Sequence, residues 1–186
     1  MPPFHDARAA LARLAARRAG RLGDTTPGAR RWLRAACALD PVFGAPHRAL
    51  LAVEQVANPL GAMALAHRWA ARFETSADAW VALGGACAAA YRMHDALVAY
   101  ERALQLEERA DAAFAAGSVY RRVGDPATAG ARFARAYAAG AGPEALMENA
   151  RALLAAGDRT AAQQAITLWE KETGRRWGEG PTADSR

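Results

Sequence analysis

Cysteine is scarce in this chain. Cys37 and Cys87 are the only two, and neither belongs to a CxxC pair. That excludes a disulfide framework and a cysteine-rich zinc site. Both fall within helical patterns, where a buried thiol acts as a small apolar residue. Aromatic residues are also few, at 8% of the chain, while alanine supplies much of the 52% hydrophobic content. Such a composition suits closely packed helices better than a β-sandwich. Lysine occurs once, at Lys171, so the positive charge is almost all arginine. No run approaches 18 uncharged apolar residues, so no membrane-spanning helix is expected. The N-terminal stretch lacks the uninterrupted apolar core of a secretory signal, and a cytoplasmic location is expected by default.

Catalytic signatures are missing as well. His5, His47, His67 and His94 are widely spaced, and no HExxH, GxSxG, P-loop or GxGxxG occurs. Those motifs place nucleophiles, metal ligands or phosphate cradles at fixed offsets, and their lack argues against an enzyme. His47 and His67 fall at positions expected to pack. The Glu107-Glu108 pair reads as helix surface rather than as a general acid and base. No catalytic residue, cofactor or metal is therefore expected.

What the chain does have is charge asymmetry. The net charge is +5. Residues 1–50 carry nine arginines against three aspartates, a local +6, which leaves −1 for the rest. A basic end attracts acidic partners. Nucleic acid is disfavoured, because interleaved aromatics are lacking.

It also has a period. Trp80, Leu83 and Gly84 form W-x2-L-G, followed by Ala96, Tyr100 and Ala103 as A-x3-Y-x2-A. Thirty-three residues on come Ala113, Ala116, Gly117 and Tyr120, then Ala129, Phe133 and Ala136. After another 33 come Leu146, Asn149, Ala150 and Leu153, then Ala162, Ile166 and Trp169. The turns repeat too, as Gly124-Asp125 and Gly157-Asp158. Glycine past a helix end accommodates the left-handed conformation, and aspartate caps the next start. Backward steps give His47, Leu50 and Leu51 with Met63, His67 and Ala70, and then Ala29, Leu33, Ala36 and Pro41.

This pattern resembles the tetratricopeptide repeat (TPR), whose period is about 34 residues. Cys87 stands where that signature prefers tyrosine, and Glu108 where it prefers proline. The resemblance implies an all-α, TPR-like α-solenoid of about five helical hairpins, about ten helices. Its units run about 7–43, 44–76, 77–109, 110–142 and 143–173, between an N-terminal tail (1–6) and a disordered C-terminal tail (174–186). Small residues at Gly84, Ala96, Ala103, Gly117, Ala129 and Ala136 let helix backbones approach closely. Trp80, Leu83, Tyr100 and Phe133 fill the gaps. No hairpin buries its apolar face alone, so the stack is the stable unit. The last hairpin is either left partly open, favouring self-association or docking, or covered by Trp177.

The resemblance also implies a concave groove lined by the first helix of each hairpin. Its expected residues are Arg13, Arg17 and Arg21, then Arg48, Ala52 and Gln55, then Asp78, Val81, Gly85 and Ala88. Phe114, Ser118, Arg121 and Arg122 follow, then Met147 and Arg151. Basic ends around a small apolar centre would suit a peptide with acidic flanks. The lysine and asparagine pair with which some TPR domains clamp chaperone tails is missing. A protein-interaction scaffold is the leading expectation. The run from Trp80 to Ala103 also resembles class II type III secretion chaperones, which implies a translocator segment as the partner. Two further readings are a basic nucleic-acid-binding repeat and a regulatory domain working with an enzyme.

Overall fold

The structure, a computed structural model, describes residues 10–18, 27–39 and 44–178. Among these residues it contains ten helices and no strand. They are α1 (residues 10–18), α2 (Pro27–Leu39), α3 (Gly44–Ala57), α4 (Pro59–Arg72) and α5 (Ala77–Ala89). Then follow α6 (Met93–Leu106), α7 (Ala110–Arg122), α8 (Pro126–Ala138), α9 (Pro143–Ala156) and α10 (Arg159–Thr173). None of the described helices is long and apolar enough to cross a membrane. Residues 19–26, with Arg21 and the expected Gly23-Asp24 turn, lie outside the described residues, as does Asp40-Pro41.

The helices start and stop where local chemistry dictates. The side chains of Asn58, Ser76, Asp125 and Asp158 accept backbone N–H bonds from Gly61, Ala79, Thr128 and Ala161. Each satisfies a donor that the first helical turn leaves without a partner. Pro59, Pro126 and Pro143 open α4, α8 and α9, where a missing N–H costs nothing. The turns inside three hairpins share one hydrogen-bond pattern. Arg92, Asp125 and Asp158 donate their N–H to the carbonyls of Cys87, Tyr120 and Leu153, at 2.8, 3.0 and 3.0 Å. The residue before each donor is left-handed: Tyr91 (φ 60°), Gly124 (φ 86°) and Gly157 (φ 84°).

The chain divides into two compact units, Met1–Ala99 and Tyr100–Arg186, with the division inside α6. In the first, α2 packs on α3, α3 on α4, α4 on α5, and α3 also on α5. Ala29, Leu33, Leu50 and Val53 form a buried cluster, against which Cys37, Ala49 and Leu65 pack. Cys37 is only half-buried, whereas Cys87 is buried. His47 is buried and stacks on Trp69, with ring centroids 4.6 Å apart. His67 was expected to pack but is exposed.

In the second unit α7 packs on α8, α8 on α9 and α9 on α10. Phe133 is fully buried between Ala129 and Ala152, with Phe114 and Tyr120 against the cluster. Truncating such a phenylalanine to alanine costs about 3–5 kcal/mol. A further cluster of Ala150, Ala165 and Ile166 is covered by Leu153 and Trp177. Two expectations stood for the end of the array, a disordered tail from residue 174 and Trp177 laid over the last hairpin. Gly174 ends α10 in the left-handed conformation and the chain turns back to place Trp177 there, while residues 179–186 lie outside the described residues. The Trp177 N–H donates to the Glu170 carboxylate at 2.7 Å, and its ring meets Trp169 edge-on at 5.8 Å.

Candidate functional site

Each unit presents candidate groove residues on the first helices of its hairpins. In the second unit, Phe114, Ser118 and Arg121 recur at helical spacing on α7, so they share a face. Met147, Arg151 and Leu154 share a face of α9 in the same way. Arg121 and Glu148 form an ion pair that joins the two helices. Arg151 also binds Glu148, at 2.9 Å, one turn along α9. One carboxylate therefore holds two guanidinium groups. The Glu148 side chain is only 13% exposed, against 47% for Arg121 and 54% for Arg151.

The core fixes this arrangement from behind. The Phe133 ring meets Phe114 at 5.2 Å in an edge contact and lies 6.0 Å from the Arg121 guanidinium. The Ser118 hydroxyl donates to the Phe114 carbonyl of its own helix at 3.1 Å. Phe114, Ser118 and Met147 are partly exposed, while Arg121, Arg122 and Arg151 are exposed.

In the first unit, Arg13 and Arg17 are exposed on α1. Arg48, on α3, pairs with Asp78, on α5, at 3.0 Å. Gln55, Val81 and Gly85 are partly exposed. The expectation of basic ends thus needs correcting at three arginines. Arg48, Arg121 and Arg151 each have a carboxylate partner, so these faces are charge-paired rather than simply basic. The sequence register missed Glu148 because it lies beside the expected groove position, Met147. It also missed Leu154, 44% exposed, although Leu154 stands 33 residues after Arg121.

The residues expected to pack fall as follows. Leu83, Gly84, Ala96, Tyr100, Ala103, Gly117, Ala129, Phe133 and Ala136 are buried. Trp80 differs, being only partly buried. Its indole N–H donates to the Glu74 carbonyl at 2.8 Å, and it lines an open cavity of about 750 Å³ with His67, Val98 and the Arg92–Asp95 ion pair. Leu83 forms part of the same wall.

Further charged and polar pairs brace the second unit. Arg135 donates Nε to Glu108 at 2.6 Å and holds its carboxyl below the ordinary glutamate range. Arg109 does the same for Asp111. Tyr137 donates its hydroxyl to Glu172, which raises the phenol above its usual range. Among the described residues no three His, Cys, Asp or Glu side chains gather to hold a metal.

No protein-family model matches the sequence, and no curated protein matches it. Solved structures do. PilF of Pseudomonas aeruginosa is 24% identical, with a TM-score of 0.74 over 94% of this chain and 80% of that one. A MamA structure is 20% identical, with a TM-score of 0.70 over 98% of this chain and 100% of that one. A thermophilic TPR protein of Thermus thermophilus is 18% identical, with a TM-score of 0.66 over 88% of this chain and 92% of that one. Identities this low speak to the fold, and the fold of this chain is an all-α, TPR-like α-solenoid of about five helical hairpins.

Proposed function

We propose that the chain is a non-catalytic interaction scaffold that holds a partner protein segment on the α7/α9 face of its second unit. One observation carries this reading. Two half-exposed guanidinium groups, Arg121 and Arg151, flank one shielded carboxylate beside the partly exposed Phe114 and Met147. Guanidinium donors with apolar neighbours are chemistry for recognition rather than bond making. The matching partner is an extended or helical segment with apolar anchors between acidic residues.

A fluorescein-labelled peptide, Glu-Glu-Leu-Ala-Leu-Glu-Glu, tests the reading by anisotropy. Saturable binding is expected, weakened at least tenfold in the Arg121→Ala, Arg151→Ala double variant. Far-ultraviolet circular dichroism should be unchanged in that variant. Binding equal to wild type, with helicity intact, overturns the assignment of the face.

A further inference from the structure

The charge balance on the α7/α9 face has a consequence for which partners it accepts. Each guanidinium carries five N–H donors in a fixed fork. Glu148 engages Arg121 and Arg151 through one nitrogen of each. It sits between two cations that are far more exposed than itself. An incoming carboxylate therefore meets two arginines already bridged by an acid of the protein's own. It must displace Glu148 or share its partners.

We propose that Glu148 acts as an internal competitor, standing in for the partner's acidic group and limiting capture to segments that carry more than one acid. The inference rests on the scaffold reading above and deepens it. Without a partner, Glu148 reduces the charge of the Arg121–Glu148–Arg151 cluster from two positive to one, so a single acidic side chain gains little attraction. A doubly acidic flank makes bonds to both arginines and outweighs the resident carboxylate. The pairing also keeps the two guanidinium groups fixed while the face is empty, so less side-chain freedom is lost on binding.

This separates Glu148 from a purely structural ion-pair residue. Removing its charge should tighten acidic ligands, not weaken them. Coulomb attraction at contact distance near a protein surface supports an effect on the order of three- to tenfold after screening.

The test uses the full chain and two labelled peptides, the one above and its counterpart with glutamine in place of every glutamate. Glu148→Gln should bind the acidic peptide three- to tenfold more tightly than wild type, and the neutral peptide no differently. Its salt dependence should also be steeper. Glu148→Ala serves as the second variant, since it removes the charge without placing an amide between the arginines, and it should act in the same direction. Unchanged or weaker binding of the acidic peptide, or equal tightening for both peptides, overturns the competitor role while leaving the scaffold reading intact. If neither wild type nor Glu148→Gln binds either peptide, the scaffold reading falls and this inference falls with it.

Discussion

Gly117 of α7 faces the Phe133 ring of α8 so closely that a Cβ there would lie 3.0 Å from two ring carbons and 3.2 Å from the Ala129 carbonyl oxygen. Two effects oppose each other at this position. A side chain would raise helix propensity by up to about 1 kcal/mol over glycine. An alanine Cβ asks the ring and the carbonyl to give by only a few tenths of an ångström, whereas the fully buried Phe133 leaves no room for further side-chain atoms. Overpacking wins as the side chain grows. Gly117→Val should destabilise by about 1–3 kcal/mol in chemical denaturation, with Gly117→Ala much closer to neutral. A valine variant as stable as wild type would show that the helices pack less closely than described.

Tyr91 is a strained counterpart of two glycines. It holds φ 60° at the turn position where Gly124 and Gly157 stand 33 and 66 residues later, and the residue is 79% exposed. The left-handed region costs a non-glycine residue about 1–2 kcal/mol, partly offset by the freedom glycine adds to the unfolded chain. Tyr91→Gly should raise stability by about 0.5–1 kcal/mol. A thermal melt at matched concentration reads the shift, and a lower melting temperature would place the dominant effect in contacts of the phenol ring.

Asp125 makes stability depend on pH. Its carboxylate accepts N–H and hydroxyl bonds from Thr128, which lower its pKa in the folded state. The folded protein thus binds fewer protons at this site than the unfolded chain. The contribution is complete above the ordinary aspartate value of about 3.9 and is lost as pH falls through the lower folded value. Asn in place of Asp125 retains an amide oxygen for the cap but does not titrate. Asp125→Asn should make the acid limb of a melting-temperature profile shallower. An unaltered limb would assign acid sensitivity to other carboxylates.

The cysteines should be slow to react. Burial pushes the Cys37 thiol up to about 11, and burial also raises Cys87. The thiolate is the nucleophile, so little of either is reactive near neutrality. Labelling with a thiol-reactive chromophore near neutral pH should be slow in the native protein and fast in denaturant. Rapid native labelling would mean that α2 or α5 opens readily.

Much of the fold was legible because its determinants are local. The 33-residue spacing of Gly124 and Gly157, the caps at Asp125 and Asp158, and small residues such as Gly117 all mark helix ends or close contacts. The glycine-rich surroundings of Trp177 left its cover of the last hairpin as one of two readings. What holds it is the Glu170 carboxylate, seven residues back on α10, and the edge of Trp169. The repeat register places Phe114 and Arg121 on one face of α7 and Met147 and Arg151 on one face of α9, but it does not foresee their ion pairs. Pairing of Arg121 with Glu148, and of Arg48 with Asp78, is set by how neighbouring helices are rotated. A repeat register assigns faces; it does not say which side chains reach across.

On the scaffold reading, the α7/α9 face receives a partner segment. Titration of ¹⁵N-labelled protein with the peptide Glu-Glu-Leu-Ala-Leu-Glu-Glu, followed by amide chemical shifts, tests it most directly. Shifts should concentrate at Phe114, Ser118, Arg121, Met147 and Arg151. Shifts confined to the cavity beside Trp80 or to the exposed side of α10, or none at saturating peptide, would contradict it.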